Sequence, residues 1–245
     1  MSNFLNKSDI KLSKEFEKKG YVIRNILNKQ ALKKIENIFV KFIKKELKIK
    51  KKIKSYYLLN NFHKFLKKKN LNSFRIKLIN HINNSEEFRK LYYLISKNYL
   101  EVLVGNELVM QKRINLSIQT PNDNSSLLPV HSDVWSGDSP FEIVVWLPLV
   151  NCYKTKAMYI LPPKKYKKFE KKFSMTAKKD SEYIFKKIKK NIKWLKIRFG
   201  QLLVFNQSLP HGNRINLEKE TRWSLNCRFK SIFTPFGDKK IGEFF

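Results

Sequence analysis

Residues 127–142 have the sequence LLPVHSDVWSGDSPFE, and the H-x-D motif at its centre decides how the rest of the chain is interpreted. His131 and Asp133 are two positions apart, so in an extended chain both side chains point to one side while Ser132 points to the other. An imidazole and a carboxylate placed in this way can bind one metal ion. Because H-x-D is short and also occurs by chance, it predicts a metal site only if a third ligand accompanies it.

A third ligand is available in His211, which lies 78 positions after Asp133 in the sequence SLPHGN. It follows the apolar run 202–205, which predicts a buried strand. Two histidines and one carboxylate form the facial triad that holds Fe(II) in oxygenases and leaves three coordination positions open. His63 and His81 stand among lysines in a region of helical periodicity, so we expect them to be ordinary surface or packing residues.

The segment 221–229, shortly after His211, alternates polar and apolar side chains as a strand does. Its polar face carries Arg222, Ser224, Asn226 and Arg228, and its apolar face carries Trp223, Leu225, Cys227 and Phe229. Polar residues that point inward suit a barrel with a polar interior. A guanidinium binds a carboxylate through two hydrogen bonds, and a serine hydroxyl can add a third. Arg222 and Ser224 are therefore predicted to bind the distal carboxylate of 2-oxoglutarate; the alternative is an arginine exposed on an edge strand.

The order of H-x-D, a later histidine and R-x-S resembles the Fe(II)/2-oxoglutarate-dependent dioxygenases, and in particular their phytanoyl-CoA dioxygenase-like branch. The sequence GYVI at 20–23, followed by a helical pattern, matches the usual opening of that branch. The stretch 127–142, with LPHGN at 209–213 and TRWSLN at 221–226, is similar to oxygenases of bacterial sporadic carbohydrate clusters. The resemblance covers most of the chain. It implies a double-stranded β-helix core, of the jelly-roll or cupin-like kind, and a role in making or tailoring surface polysaccharide or a related sugar.

Carried over by position, the resemblance implies that His131, Asp133 and His211 bind Fe(II) and are the catalytic residues. Arg222 with Ser224 is implied to bind 2-oxoglutarate as co-substrate. The reaction implied by the resemblance consumes O2, converts 2-oxoglutarate to succinate and CO2, and hydroxylates or otherwise oxidises a substrate.

Further candidates for ligand contacts stand around these motifs. Relatives often carry a polar pair on the strand before H-x-D; Asn115 and Gln119 occupy that face here and either contact the co-substrate or face solvent. Trp135, Asp138 and Trp146 lie near the predicted mouth of the site, where Trp135 could stack on a sugar ring and Asp138 could accept hydrogen bonds from its hydroxyls. The alternatives are a core tryptophan, favoured for Trp146, and a turn-forming aspartate, favoured for Asp138. Many relatives have a Gly-Ser-His-like turn where this chain has LPPKK at 161–165, so the identity of the substrate is not carried over.

The spacing of apolar residues divides the chain into a mostly helical part at 1–107 and a β-helix core at 108–245. Helices are predicted over 32–43 and over the lysine-rich run 44–54. Strands are predicted at 108–120, 141–149, 202–205 and 221–229, interrupted by a lysine-rich helical insert near 163–191. Because no linker separates these parts, we expect one oxygenase domain, mainly β with N-terminal helices, in an α+β arrangement.

The formal net charge of +32 could attract anionic partners, but most of this charge comes from lysines spread along the chain. Such lysine, together with abundant isoleucine, asparagine and phenylalanine, is what an AT-rich genome encodes. With no zinc-finger or RNP-type motif, we expect no specific nucleic-acid partner. Two other function classes stay open: a basic non-enzymatic module that binds nucleic acid or an anionic glycan, and a cupin-type sugar isomerase or epimerase. The sequence lacks the H-x-H motif with a following glutamate that is typical of the cupin-type enzymes.

From the sequence we expect neither a signal peptide nor a membrane-spanning segment. The first 16 residues are polar and have no apolar core of a signal peptide, and the longest apolar run, 143–150, is too short to cross a bilayer. We therefore expect a cytoplasmic protein that acts on a small or carrier-linked carbohydrate, in an oligomeric state that the sequence leaves open.

Overall fold

Helices form the first part of the chain and strands the second in the computed structural model, which describes residues 5–170 and 180–245. The helices among the described residues are α1 (Lys7–Lys19), α2 (Lys29–Glu46), α3 (Ser55–Asn60), α4 (Leu71–Asn83), α5 (Glu86–Leu94), α6 (Lys97–Leu103), α7 (Pro163–Glu170) and α8 (Ser181–Ile188). The strands are β1 (Tyr21–Asn25), β2 (Leu108–Met110), β3 (Asn115–Gln119), β4 (Ile143–Pro148), β5 (Tyr159–Ile160), β6 (Lys193–Trp194), β7 (Gln201–Asn206), β8 (His211–Gly212) and β9 (Arg222–Ser231). Within the two described ranges, no helix is long and apolar enough to cross a bilayer.

Local signals set the bounds of the first elements. The Asn6 side chain accepts hydrogen bonds from the backbone of Ser8 and Asp9, and the Asp9 carboxylate accepts one from the Asn6 backbone, which forms a capping box at the start of α1. The helix ends at Gly20, whose φ of 70° lies in the left-handed region that favours glycine. The chain then enters β1, so the GYVI sequence at 20–23 forms a turn followed by a strand.

Most strands belong to one six-stranded antiparallel sheet with the order β1-β7-β4-β9-β2, in which β3 also pairs with β9. A small antiparallel sheet has the order β6-β5-β8. The long strand β9 pairs with β4 along one side and with β3 and β2 along the other. Because side chains alternate along a strand, β9 presents one row of side chains to each face of the large sheet.

The apolar row of β9 packs against the N-terminal helices at the centre of the main core. The fully buried Trp223 ring lies 5.9 Å from the ring of Phe39 and 4.8 Å from that of Phe62, and its Nε1 donates a hydrogen bond to the backbone carbonyl of Leu59 at 2.9 Å. Edge-to-face aromatic pairs at these distances add to the gain from apolar burial. The helices therefore cover one face of the large sheet, and the polar row of β9 points away from them. The expected order of N-terminal helices followed by an antiparallel β core is confirmed.

Two predicted elements differ from the structure. The strand predicted at 108–120 is interrupted between β2 and β3, where the Gln111 backbone N–H donates to the carbonyl of Arg228. The lysine-rich helix predicted over 44–54 is wrong, because α2 ends at Glu46 and Lys48 has a left-handed φ of 52°. Ile49 and Ile53 then pack against the core from a non-helical segment.

The lysine-rich insert predicted near 163–191 contains two helices among the described residues, α7 and α8. Residues 171–179 of this insert lie outside the described residues. The single domain stays a prediction.

Candidate active site

A cavity of about 530 Å³ lies on the polar side of β9 and brings together most of the polar residues that the sequence singled out. Its wall includes all four residues of the polar row, Arg222, Ser224, Asn226 and Arg228. Residues of β3, β4 and β7 extend this wall, and β8 supplies His211 and Gly212 from the small sheet. The alternation in 221–229 therefore identified the inner face of the sheet correctly.

The backbone holds His131 and His211 opposite each other. Each backbone N–H donates a hydrogen bond to the carbonyl of the other residue, at 3.0 and 2.8 Å, in an antiparallel bridge, and the ring centroids are 4.2 Å apart. A Cβ on Gly212 would lie 2.8 and 2.9 Å from the carbonyl oxygens of Leu128 and Pro129. The close approach of these two chain segments therefore requires glycine beside His211.

The two imidazoles are oriented by backbone carbonyls. His131 Nδ1 lies 2.8 Å from the carbonyl oxygen of Pro129, and His211 Nδ1 lies 2.9 Å from that of Leu209. Since a carbonyl can only accept, each Nδ1 carries the proton and each Nε2 keeps a lone pair for a metal ion. One ligand atom from each of His131, Asp133 and His211 lies within 4.8 Å of the other two. The structure thus brings the predicted triad together with its ligand atoms converging.

Electrostatics in the triad favour the protonation states that bind metal. Burial by itself raises the pKa of Asp133, but interactions with His131, His211 and Arg228 outweigh burial and hold this pKa well below its usual range. Burial, with a smaller contribution from His131, lowers the pKa of His211 to about 4. At neutral pH the site therefore offers an ionised carboxylate and a neutral His211, as metal ligation requires.

Arg222 is a buried cation in the cavity wall, with 2% of its surface exposed. Its Nη2 donates a hydrogen bond to Ser117 Oγ at 2.8 Å, while its buried Nε has no hydrogen-bond partner among the described residues. Burial lowers the pKa of Arg222 to about 10, so the guanidinium stays charged at neutral pH. Ser224 follows in the same row and is the register partner of Ser117 on β3. The alternative of an exposed arginine on an edge strand is wrong.

The structure separates the two polar residues predicted on β3. Asn115 lies in the cavity wall, where its Nδ2 donates to Asn226 Oδ1 at 3.0 Å. Gln119 is fully buried, and its Nε2 donates to the carbonyl of Arg214 at 2.8 Å; it is not part of the cavity wall that the described residues form. The alternative that Gln119 faces solvent is therefore wrong. The contact of either side chain with a co-substrate stays a prediction.

The two residues predicted to contact substrate follow Asp133 closely in the chain. Trp135 follows Asp133 in a short 3-10 turn, and Asp138 is 5% exposed. The Asp138 carboxylate forms ion pairs with Arg228, at 3.4 Å, and with Lys239. Neither Trp135 nor Asp138 belongs to the described residues of the cavity wall, so their contact with substrate stays a prediction.

Three further residues of the cavity wall carry roles that the motifs did not define. Trp146 is buried in the main core, as expected of a core tryptophan, and also lines the cavity from β4. Arg75 reaches the wall from α4 and binds Asp123 at 2.7 Å; no sequence signal connects this helix to the motifs. Arg228 contacts the carboxylate of Asp133 at 3.1 Å. Its place in the same polar row as Arg222 was the signal that could have found it.

Comparisons with known proteins find likenesses at the level of structure alone. No protein-family model matches the chain, and no curated protein matches it. Among solved structures, the chain is similar to EctD from S. alaskensis, in a crystal structure with 2-oxoglutarate and 5-hydroxyectoine, with a TM-score of 0.60 and 12% identity. That likeness covers 96% of this chain and 81% of EctD.

Two further solved structures are similar over most of their length. The non-heme monooxygenase ThoJ, in a nickel complex, matches with a TM-score of 0.55 and 15% identity, over 90% of this chain and 77% of ThoJ. HygX from Streptomyces hygroscopicus, with nickel and 2-oxoglutarate bound, matches with a TM-score of 0.53 and 10% identity, over 95% of this chain and 89% of HygX. At such identities the likeness is one of fold. The double-stranded β-helix core with N-terminal helices is therefore confirmed, and the chain shares its fold with EctD, ThoJ and HygX.

Proposed function

We propose that the protein is an Fe(II)- and 2-oxoglutarate-dependent oxygenase. One observation carries the proposal: a converging His-Asp-His triad and a buried arginine with an unsatisfied N–H line the same cavity. The first is the donor set of a facial-triad metal site, and the second is what a carboxylate ligand deep in that cavity needs. The fold shared with the non-heme monooxygenase ThoJ, and with EctD and HygX in structures that contain 2-oxoglutarate, supports this combination.

The triad fits Fe(II) by its chemistry. Two imidazoles with their Nδ1 atoms engaged by carbonyls present Nε2, and Asp133 supplies one anionic oxygen. His131, Asp133 and His211 would hold the metal, which supplies activation of O2 when bound. The chain's own contribution is to fix the ligands in one orientation and to surround them with a largely buried wall.

The buried end of the cavity fits the distal carboxylate of 2-oxoglutarate. Arg222 would form a charge-assisted pair with that carboxylate through its unpartnered Nε, and Ser224 and Ser117 place hydroxyls beside it on neighbouring strands. Such a contact satisfies a buried donor that the described residues leave without a partner. Arg222 therefore fixes where the co-substrate sits relative to the triad.

The remaining wall favours a neutral, hydroxyl-bearing substrate. Apart from Arg222 and the triad, the charged side chains that line the cavity among the described residues are already paired, Arg75 with Asp123 and Arg228 with Asp133. The rest combines amide and hydroxyl groups with apolar surface, from Asn72, Ser125, Ser126, Leu127, Leu128, Trp146, Met158 and Asn213. A sugar ring offers both hydroxyls and apolar C–H faces to such a wall. The proposed substrate is a sugar or glycan precursor for surface polysaccharide.

Anaerobic addition of Fe(II) and 2-oxoglutarate to the purified protein tests the proposed function. We expect a visible charge-transfer band that needs both components. Asp133→Asn should remove it, and Arg222→Gln should shift it to much higher 2-oxoglutarate concentrations. The exposed Glu107→Gln and Arg113→Gln make the same changes of charge outside the cavity and should leave the band intact. Absence of the band from the wild-type protein with both components would contradict the proposal.

A second measurement tests the class of substrate. Under air, succinate formation from 2-oxoglutarate is followed with neutral methyl hexosides and with the corresponding uronic acids as probes. The paired charges of the cavity wall predict that the neutral sugars stimulate turnover and that the acids do not. Stimulation by the acids alone would show that the reacting unit is anionic.

A further inference from the structure

The two carboxylate oxygens of Asp133 face different partners. Oδ1 lies 3.4 Å from His131 Nε2, on the side where the triad converges, and Oδ2 lies 3.1 Å from Arg228 Nη2. Asp133 is 7% exposed, so its oxygens depend on protein groups for their interactions. The charge-assisted contact with Arg228 therefore occupies the oxygen other than the one paired with His131.

Arg228 is itself held on several sides. Its Nε lies 2.9 Å from Gln207 Oε1 and 3.4 Å from Asp138 Oδ2, and its Nη1 lies 3.3 Å from Gln111 Oε1. The Glu142 carboxylate is a further 3.9 Å neighbour of the same Nε. A planar guanidinium with partners at both ends cannot rotate without breaking several contacts. Its position relative to Asp133 is consequently fixed.

The segment after β9 closes this cluster from the other side. Lys239 forms an ion pair with Asp138, and its Nζ lies 4.4 Å from the centroid of the Phe244 ring. The Arg228 guanidinium lies 6.0 Å from the same ring. The residues near 239–244 therefore shield the ion pairs behind the metal ligands from solvent, which strengthens them.

A carboxylate can bind a metal through one oxygen or through both. If Asp133 used both, it would occupy two coordination positions, and the triad would leave two open positions in place of three. We propose that Arg228 is a positioning residue that retains Oδ2, so that Asp133 offers only Oδ1 to the metal. This inference rests on the proposed function, since three open positions matter only if a chelating co-substrate and O2 share the site.

Cobalt(II) alone is the probe, because its visible d–d spectrum reports the number and arrangement of its ligands. Wild-type protein, Arg228→Gln, Arg228→Lys and the exposed control Arg113→Gln are titrated with Co(II), and then with 2-oxoglutarate under anaerobic conditions. For Arg228→Gln we expect Co(II) affinity to fall by about 10- to 100-fold, as loss of groups that orient metal ligands commonly does. Its d–d spectrum should change, and 2-oxoglutarate should perturb that spectrum only at higher concentration.

Arg228→Lys should give an intermediate result. An ammonium keeps the charge but cannot reach Asp133 and Asp138 together as the planar fork does. If Arg228→Gln does not fold, this variant decides the matter. If Arg228 only stabilised the fold, its replacement would lower the free energy of unfolding, and the folded fraction would keep the wild-type Co(II) spectrum.

The outcomes separate this inference from the proposed function. If wild-type protein binds Co(II) and responds to 2-oxoglutarate, and the folded Arg228 variants do so with the same spectrum and affinity, the role of Arg228 is refuted while the proposed function stands. If the wild-type protein binds no Co(II), the proposed function itself fails.

Discussion

His131 and His211, 80 positions apart in the sequence, are direct partners in an antiparallel bridge whose two backbone hydrogen bonds measure 3.0 and 2.8 Å. This pairing places both imidazoles on one side of the bridge, with their ring centroids 4.2 Å apart. Backbone hydrogen bonds, and not contacts between the rings, therefore set the separation of the two imidazoles. A metal ion would add its ligand bonds to a site that is already assembled.

Replacement of Asp133 should remove metal binding without unfolding the protein. In Asp133→Ala only two neutral imidazoles would remain as ligands, so Co(II) or Ni(II) affinity should fall below detection at micromolar protein. Metal content after gel filtration measures the effect, and far-UV circular dichroism verifies the fold. Stoichiometric metal in the variant would show that the ligand set is a different one.

Replacement of Arg222 should weaken 2-oxoglutarate binding before it affects the metal. Loss of a charge-assisted partner from a buried carboxylate costs on the order of 2–5 kcal/mol, which is tens- to thousands-fold in affinity. Arg222→Lys should restore only part of this, because an ammonium lacks the planar fork. Decarboxylation of 2-oxoglutarate by the purified variants, with metal content measured alongside, checks both statements. Unchanged apparent affinity in Arg222→Ala would place the anchor elsewhere.

The metal-free protein should lose stability as the pH falls from about 6.5 to about 4. The pKa of His211 is lowered from 6.5 to about 4 in the folded protein, so in this range the unfolded chain takes up a proton that the folded chain excludes. At about 1.4 kcal/mol per pKa unit, the free energy of unfolding should fall by on the order of 3 kcal/mol.

Urea unfolding at several pH values measures this dependence. His211→Asn, which cannot titrate in this range, should have the flatter dependence. Equal slopes for the wild-type protein and the variant would refute the assignment to His211.

A methyl group at Gly212 should push the metal ligands apart. Its Cβ would lie 2.7 Å from Tyr159 Oη and within 2.9 Å of two backbone carbonyls, so Gly212→Ala should lower the free energy of unfolding by about 1–3 kcal/mol and weaken Ni(II) binding. The double variant Gly212→Ala/Tyr159→Phe removes only the hydroxyl and should recover little, because the carbonyl oxygens of Leu128 and Pro129 stay in place. Isothermal titration with Ni(II) and chemical unfolding give the two values. Full recovery in the double variant would identify the hydroxyl as the sole obstacle.

Binding to nucleic acid should be weak, non-specific and strongly dependent on salt, because lysine contacts phosphate as a point charge and the sequence has no recognition motif. Fluorescence anisotropy with unrelated duplexes of equal length, at low and at physiological salt, tests this. A sequence-selective complex that survives physiological salt would favour the basic binding module over the oxygenase.

The sequence by itself determined which residues form the candidate triad and which residues share each face of β9. Alternation at 221–229 separated a polar row from an apolar row, and the structure places the first in a cavity and the second in the core. Strand alternation is a local property with a fixed period, so it can be read without knowledge of the partners. The H-x-D motif and the later histidine were recognisable because their residue types are rare elsewhere in the chain.

Only the tertiary structure decided which other residues meet at this site. Arg228 approaches Asp133, and Lys239 approaches Asp138, through register and through the path of the chain after β9. The apolar residues of 44–54 are spaced as in an amphipathic helix, yet α2 ends at Glu46. Packing of Ile49 and Ile53 against the core outweighs the local preference of this segment for a helix. Contacts between distant segments depend on how sheets and helices pack together, and no local pattern in one sequence encodes that packing.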